Sequence, residues 1–179
     1  MQLIPAAENE IREQLKALYV RAFPACERKP YEVMEKKRQE GGVDILAFEQ
    51  DGIFCGMAVS IRYRDIILLD YFAIEDSVRG QGYGSQALGL LCEYYRGKRF
   101  MLEVESTYED APNKMQRIAR KTFYLKNGCR ELGILVFIYE TEMELLGYQT
   151  GISFEEYEAL YQEHYPERLP LRLSVTASR

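Results

Sequence analysis

The chain has 179 residues, of which 47% are hydrophobic and 28% are charged, and its formal net charge is -5. This length fits a single domain, 1–179, with a full hydrophobic core, and the composition argues against disorder. The 23 basic residues form no dense block that would neutralise nucleic-acid phosphates, so nucleic-acid binding is not expected. No apolar run approaches the ~18 residues of a membrane span, so a membrane partner is not expected either.

The first residues and the cysteines predict a cytoplasmic protein. Met-Gln-Leu-Ile-Pro lacks the charged leader of a signal peptide. The cysteines are widely spaced and form no Cys-x-x-Cys pair; they are Cys26, Cys55, Cys92 and Cys129. We therefore expect reduced, buried thiols, with neither a disulfide framework nor a zinc site.

Two helices are predicted in the first part of the chain. Apolar residues recur at three- and four-residue spacing from Ile11 to Ala22, and Pro24 ends that helix. Pro30 suits the first turn of a second helix, which extends to Gln39 before a pair of glycines.

The pattern then changes to the alternation that is typical of strands. A strand over 44–48 leads through Asp51-Gly52, a hairpin signal, into an antiparallel strand over 53–63. After a turn at 64–65, the run 66–74 is almost continuously apolar, which indicates a central strand that is covered on both faces.

Helices and strands alternate in the rest of the chain. We expect a helix from Gln86 to Tyr95, a strand over 100–104, a helix from Asn113 to Lys126, and a strand pair or one long strand over 134–146. A capping box of Ser153 and Glu156 opens a short last helix.

The most informative segment is Arg79-Gly80-Gln81-Gly82-Tyr83-Gly84-Ser85, which lies between the central strand and a helix. Closely spaced glycines allow several backbone N–H groups to approach one ligand at the positive end of a helix dipole. An isolated Gly-x-Gly is more often only a tight turn, but the preceding strand and the following helix favour a ligand site. The segment therefore predicts a pyrophosphate-binding loop.

The same glycines also fit the dinucleotide pattern Gly-x-Gly-x-x-Gly/Ala. Gly82, Gly84 and Ala87 have that spacing, and Glu103 follows about 20 residues later. However, the segment follows an antiparallel meander, and too few strand–helix units remain for a doubly wound sheet. A nicotinamide-dependent oxidoreductase is therefore the less favoured alternative.

A second motif, Phe123-Tyr124-Leu125-Lys126-Asn127-Gly128-Cys129, lies at the end of a predicted helix. Together with Ala73-Ile74 and the 79–84 loop behind the meander, it resembles the GNAT superfamily of N-acetyltransferases over roughly residues 43–140. Cys129 stands where the family usually has an aromatic residue. The order of the two motifs and of the elements between them makes the resemblance specific.

The resemblance implies an α/β (α+β) fold: one domain with a mixed, mostly antiparallel sheet, a splayed central strand and flanking helices. It implies an acyltransferase that moves an acetyl group from acetyl-CoA, as co-substrate and without a metal, to the amine of a small molecule or a protein. Residues 147–179 would form a C-terminal extension that docks on its own core or shapes the acceptor pocket or a homodimer contact; their spacing favours the core. A non-catalytic acyl-CoA-binding module is the alternative.

Carried onto this sequence, the resemblance implies that backbone amides from Gln81 to Ser85 hold the pyrophosphate and that Arg79 lies along the cofactor. The backbone from Phe72 to Ile74 would line the pantetheine arm. The expected cofactor-binding residues are Phe72, Ala73, Ile74, Arg79, Gly80, Gln81, Gly82, Tyr83, Gly84 and Ser85.

Tyr124 looks like the family's general acid, which returns a proton to the departing thiolate of coenzyme A. A phenol with a pKa of about 10 can pass its proton to a thiol with a pKa of about 8.5 as the sulfur becomes anionic. Without the surrounding motif, Tyr124 would be read as an aromatic core residue.

Two carboxylates compete as the base for the acceptor amine. Asp70 lies on the central strand, where an apolar environment makes a carboxylate costly unless it is employed or paired. Glu103 lies in a Leu-Glu-Val element that resembles the one in which some members that modify protein N-termini keep their base. Either carboxylate could instead be hydrogen-bonded to hold a loop.

Three further observations complete the expectations. The acidic residues Glu105, Glu109, Asp110 and Glu140 would attract a cationic amine or would simply form a solvated face. The insert 106–112 is longer than in compact family members, so Asn113 receives no role. His164 is the only histidine, and it is expected to be solvated rather than catalytic.

Overall fold

A computed structural model describes residues 1–6, 9–25, 27–138, 141–166 and 172–173 of the chain. Its contacts divide the chain into two compact units, Met1–Lys98 and Arg99–Arg179. Cys26 and Glu140, which the sequence analysis names, lie outside the described residues. The single domain over 1–179 stays a prediction.

The first unit combines an antiparallel sheet with three α-helices in its described part. Its elements are β1 (Gln2–Pro5), α1 (Asn9–Ala22), α2 (Tyr31–Gln39), β2 (Val43–Gln50), β3 (Ile53–Tyr63), β4 (Ile66–Ile74), a short 3-10 helix (Asp76–Val78) and α3 (Tyr83–Tyr94). The four strands pair in chain order, and each pair is antiparallel. Strand β1 was not predicted, because four residues are too few to show an alternating pattern.

Local sequence signals account for most of this unit. The turn between β2 and β3 has positive φ at Asp51 (+53°) and Gly52 (+78°), which is the backbone that a two-residue hairpin needs. Helix α1 buries Leu15 and Leu18, as its spacing predicts, and it also buries Tyr19. The predicted antiparallel meander is therefore present.

The second unit also contains an antiparallel sheet. Its described elements are β5 (Arg99–Glu105), α4 (Lys114–Lys126), β6 (Cys129–Ile138), β7 (Thr141–Tyr148), α5 (Phe154–His164) and β8 (Arg172–Leu173). Strand β7 pairs with both β5 and β6, and β8 pairs with β6. The run over 134–146 is therefore a strand pair rather than one long strand.

Helix α5 begins with the predicted capping box. The Glu156 amide donates to the Ser153 hydroxyl at 3.3 Å, and the Ser153 amide donates to the Glu156 carboxylate at 3.1 Å. The expectation of a solvated His164 is wrong, since this side chain is 7% exposed. It follows Tyr157 and Tyr161 on the buried face of the helix, where spacing of three and four residues repeats.

Helix α4 buries a charged face and exposes apolar residues. Its buried residues are Arg117, Lys121 and Tyr124, whereas Met115 is 76% exposed and Ile118 is 38% exposed. Apolar residues at helical spacing normally mark the buried face. Here the spacing predicts the helix correctly but does not identify the side that faces the core.

Two further properties concern the described part of the chain. None of its helices is long and apolar enough to cross a membrane. None of its histidine, cysteine, aspartate and glutamate side chains form a group of three or more that would hold a metal ion.

Candidate active site

The glycine loop adopts the backbone that its sequence predicts. Gly80 has φ of +77° and Gly82 has φ of +83°, a left-handed region that residues with a Cβ enter at a cost. A Cβ built at either position would find no described atom within 4 Å. The two glycines are therefore required by the turn and leave open space beside it.

Helix α3 begins at Tyr83, three residues ahead of the predicted start at Gln86. The difference arises because the left-handed Gly82 lets the chain enter the helix at once. The amide of Gln86 makes the first helical bond, to the Gly82 carbonyl at 3.2 Å. The N–H groups of Tyr83, Gly84 and Ser85 precede that bond and have no acceptor within the helix itself.

This helix terminus is suited to an anion. Gly82 occupies the N-cap position and has no side chain that could accept from the first amides, and the first turn contains no acidic residue. The helix dipole adds positive potential at the same point. Successive amides at a helix start can hold phosphate groups without a lysine.

Arg79 joins the loop to the end of β4. Its Nε donates to the Ile74 carbonyl at 3.2 Å, and its guanidinium pairs with Asp76 at 2.7 Å. The side chain is 60% exposed, so the guanidinium is accessible. The position of Arg79 along the cofactor stays a prediction.

The segment expected to line the pantetheine arm forms the last part of β4. Phe72, Ala73 and Ile74 lie opposite Ala58, Met57 and Gly56 of β3. A Cβ at Gly56 would lie 2.5 Å from the Ala73 carbonyl oxygen, so only glycine permits this close approach of the two strands. The role of the three β4 residues stays a prediction.

Asp70 is the extra residue of a β-bulge. Tyr71 lies opposite Val59 and Leu69 lies opposite Ser60, so Asp70 has no partner of its own in the ladder. Its carboxylate instead accepts two hydrogen bonds from Lys29 Nζ, at 2.7 and 2.6 Å. Both side chains are buried, with 6% of Asp70 and 7% of Lys29 exposed.

The Lys29 segment between α1 and α2 is tied to β4 in several ways. The Lys29 amide donates to the hydroxyls of Tyr19 and Tyr71, at 2.8 and 3.2 Å. The Tyr71 hydroxyl donates to the Glu27 carbonyl at 2.8 Å, and Lys29 Nζ lies 5.3 Å from the Tyr71 ring centre. Asp70 therefore has a clear structural use, which is to fix this loop.

In the second unit, Glu103 is held by the C-terminal helix. The hydroxyls of Tyr157 and Tyr161 both donate to Glu103 Oε1, at 2.8 and 2.6 Å. The two tyrosines are fully buried. The sequence predicted that they would dock on the core, but it did not predict that their hydroxyls would meet one of the candidate bases.

Glu103 and Glu144 project from opposite faces of the sheet in this unit. Glu144 lies opposite Val104 in the ladder, and successive residues of a strand alternate between faces. Lys121 of α4 reaches Glu144 on one face, and the α5 tyrosines reach Glu103 on the other. Helices α4 and α5 therefore cover opposite faces.

Tyr124 lies on the buried side of α4, with its ring centre 5.1 Å from that of Phe123. Its side chain is 8% exposed. Burial raises the pKa of the Tyr124 phenol, because desolvation disfavours the phenolate. The hydroxyl therefore keeps its proton at neutral pH, which a general acid requires.

A network of buried charges under α4 was not predicted. Glu144 accepts from Lys121 Nζ at 2.5 Å and from the Thr107 amide and hydroxyl at 2.7 and 2.8 Å. Arg117 pairs with Glu105 at 3.0 Å and donates to the Ser106 carbonyl at 3.1 Å. These contacts fix the start of the 106–112 insert.

Two sequence signals could have indicated this network. Helix α4 carries five basic residues and no acidic one, and β7 places Glu142 and Glu144 on one face. Burial alone disfavours the Lys121 ammonium, but hydrogen bonds from it to Glu144 and Glu131 outweigh burial and raise the pKa of Lys121. The cationic face of the helix therefore packs on the anionic face of the strand.

A model of the acetyltransferase (GNAT) family matches residues 10–128, which is well over half of the chain. The chain belongs to the GNAT family of acetyltransferases. The match begins ahead of the 43–140 range over which the motifs show the resemblance. It includes the glycine loop and the Phe-Tyr element. Comparison of the sequence with curated proteins finds no match.

Solved GNAT structures have the same fold. An acetyltransferase of the GNAT family from Bacteroides thetaiotaomicron is 19% identical, with a TM-score of 0.73 over 91% of this chain and 95% of that one. An aminoglycoside 6'-N-acetyltransferase complexed with coenzyme A is 16% identical, with a TM-score of 0.64 over 82% and 96%. The ribosomal-protein-S18-alanine N-acetyltransferase of Escherichia coli is 17% identical, with a TM-score of 0.60 over 86% and 97%.

These likenesses confirm the predicted fold class, a mixed, mostly antiparallel sheet with flanking helices. They also remove the dinucleotide-binding alternative, because a GNAT family match accounts for the glycine loop. The general class of the protein, a GNAT acetyltransferase, is therefore shown.

Proposed function

We propose that this GNAT protein transfers the acetyl group of acetyl-CoA to a primary amine in a ternary complex. The observation that carries the proposal is the open glycine loop at the start of α3, where left-handed Gly80 and Gly82 leave the first helical amides ready for a pyrophosphate. The coenzyme A complex of the aminoglycoside 6'-N-acetyltransferase with this fold supports the same donor.

The proposed reaction is a direct displacement. The neutral amine nitrogen forms a bond to the thioester carbonyl carbon, and the bond from that carbon to sulfur breaks. A base accepts a proton from the amine, and Tyr124 supplies a proton to the departing sulfur. The place of Tyr124 in the Phe-Tyr element, on the buried side of α4, supports this assignment.

We favour Glu103 over Asp70 as the base. Both oxygens of Asp70 accept from the Lys29 ammonium, and breaking a buried pair of this kind is costly, so Asp70 is held in a structural role. Glu103 accepts from the hydroxyls of Tyr157 and Tyr161, and donors of this kind favour the ionised form of a carboxylate.

The pH dependence of the two conservative variants tests this choice. Glu103→Gln should abolish the acid limb of the kcat/KM profile and lower the plateau by about 100-fold or more. Asp70→Asn should lower the thermal stability and retain the acid limb. If Asp70→Asn loses the limb and Glu103→Gln keeps it, the assignment is reversed.

The acceptor is proposed only as a class. The net charge of -5 favours a cationic amine, since the field of an acidic protein attracts cations. Proteins of the same fold include acetyltransferases named for aminoglycosides and for a ribosomal-protein alanine, so both a small amine and a protein N-terminus fit the fold.

Binding and turnover with the full chain test the proposed function. Acetyl-CoA should raise the unfolding temperature, whereas NAD should leave it unchanged. A panel of polyamines, amino acids, aminoglycosides and peptides should contain an amine that releases free coenzyme A from acetyl-CoA. Tight binding of acetyl-CoA without turnover on any amine would instead favour a non-catalytic acyl-CoA-binding module.

A further inference from the structure

The C-terminal helix makes an unusual contact with the proposed base. Tyr157 and Tyr161 lie one helical turn apart on α5, both are fully buried, and both hydroxyls donate to the same oxygen of Glu103. Their ring centres are 4.9 Å apart, so each ring also restricts the other. This pair brings two donors to one carboxylate from a single rigid element.

Packing alone does not explain the two hydroxyls. A phenylalanine at either position would fill almost the same space, and it would not need a partner for a buried polar group. Burial, together with the Glu103 charge and the Tyr161 hydroxyl, raises the pKa of the Tyr157 phenol well above its usual value. This hydroxyl therefore remains a donor throughout the pH range in which an enzyme works.

We infer that Tyr157 and Tyr161 are positioning residues, which orient the Glu103 carboxylate toward the acceptor amine and keep it ionised. This inference rests on the proposed N-acetyltransferase function. Because both bonds end on Oε1, the direction of the carboxylate is set by α5. Helix α5 then contributes to the reaction as well as to the core.

The inference predicts a specific change in pH dependence. Each hydroxyl that donates to the carboxylate favours its charged form, so removing one should move the acid limb of kcat/KM upward by about one pH unit. Tyr157→Phe and Tyr161→Phe should each show this shift, and the double variant should show a larger one. At a pH well above the limb, all three should recover most of the wild-type kcat.

Tyr165→Phe is the matched control. Tyr165 is also buried, at 2% exposure, and its ring centre lies 5.9 Å from that of Tyr161. The two hydrogen bonds on which the inference rests come from Tyr157 and Tyr161. This variant should lose stability to a similar degree while its acid limb stays in place.

The assay uses the full chain, acetyl-CoA and the amine of the panel that gives the highest wild-type rate. An unmoved limb in the double variant, with an active wild type, would overturn the inference and leave the proposed function intact. A wild-type chain that acetylates no amine would overturn the proposed function itself. The two failures are therefore distinguishable.

A titration without turnover provides an independent readout. The side-chain carboxyl carbon of Glu103 can be followed by carbon-13 NMR in protein labelled at glutamate, with the signal assigned by its absence in Glu103→Gln. Its titration midpoint should rise in Tyr161→Phe and should be unaltered in Tyr165→Phe. Equal midpoints in wild type and Tyr161→Phe would show that the tyrosine does not act on the carboxylate.

Discussion

Two glycines at opposite ends of α3 allow acetyl-CoA binding to be tested without confusion with folding. Gly82, at the start of the helix, has φ of +83°, and Gly97, after its end, has φ of +81°. A Cβ at either would find no described atom within 4 Å. Gly82→Ala and Gly97→Ala therefore impose the same backbone strain and no steric clash within the described protein.

The expected magnitudes separate strain from binding. A left-handed alanine costs about 1–2 kcal/mol in either variant, which lowers Tm by about 2–4 °C for each kcal/mol in a chain of this size. At Gly82 the new methyl group would also stand where the proposed pyrophosphate approaches the first helical amides. Losing one hydrogen bond to a charged group costs about 1.5–3 kcal/mol, or about 10- to 100-fold in Kd.

Isothermal titration with acetyl-CoA, below the unfolding temperature of both variants, measures the difference. Gly97→Ala should bind as wild type does, although its Tm falls. Gly82→Ala should show a similar fall in Tm together with the weaker Kd. If both variants bind acetyl-CoA equally well, the α3 terminus does not hold the pyrophosphate.

Three further predictions concern the second unit and the pH dependence of stability. Tyr124→Phe should lower kcat by about 100- to 10,000-fold and leave the affinity for acetyl-CoA unchanged. The control Tyr63→Phe, at another buried tyrosine, should keep the wild-type rate. An unchanged rate in Tyr124→Phe would show that Tyr124 is not the acid. Lys121→Met should cost about 3–5 kcal/mol in urea unfolding because it leaves Glu144 without its cation, and adding Glu144→Leu should restore part of that loss. Hydrogen bonding from Arg38 lowers the pKa of Glu35, so the stabilisation from Glu35 is present above an unfolded-state pKa of about 4.3 and is lost as pH falls through the lower folded value. The urea midpoints of wild type and Glu35→Gln should therefore converge as the pH falls below the unfolded-state value, and a constant difference would contradict this.

The features that sequence predicted well depend on a few neighbouring residues. The Asp51-Gly52 hairpin, the Ser153 capping box and the left-handed Gly82 each follow from backbone conformations that particular residues favour or cap. Such signals act within about one turn of chain. These local structures therefore depend little on contacts with distant parts of the chain.

The buried face of α4 does not follow from the spacing of its apolar residues. Spacing alone would turn Met115 and Ile118 inward, but Arg117 and Lys121 are buried because β7 presents carboxylates to them. Residues distant in sequence determine which face of α4 is buried, because the helical period alone is the same for either face. The pairs Lys29–Asp70 and Tyr161–Glu103 could not be predicted for the same reason, since each joins residues that are far apart in the chain.

The buried ions beneath α4 also have a consequence for temperature. Ions lose part of their hydration advantage on heating, so the cost of keeping Arg117 and Lys121 away from water falls as temperature rises. The stabilisation from apolar burial, in contrast, levels off as the temperature rises. The network around Glu144 is therefore expected to hold the 106–112 segment more firmly in warm solution than in cold. The stability of this segment should rise, relative to that of the apolar parts of the structure, as the temperature increases.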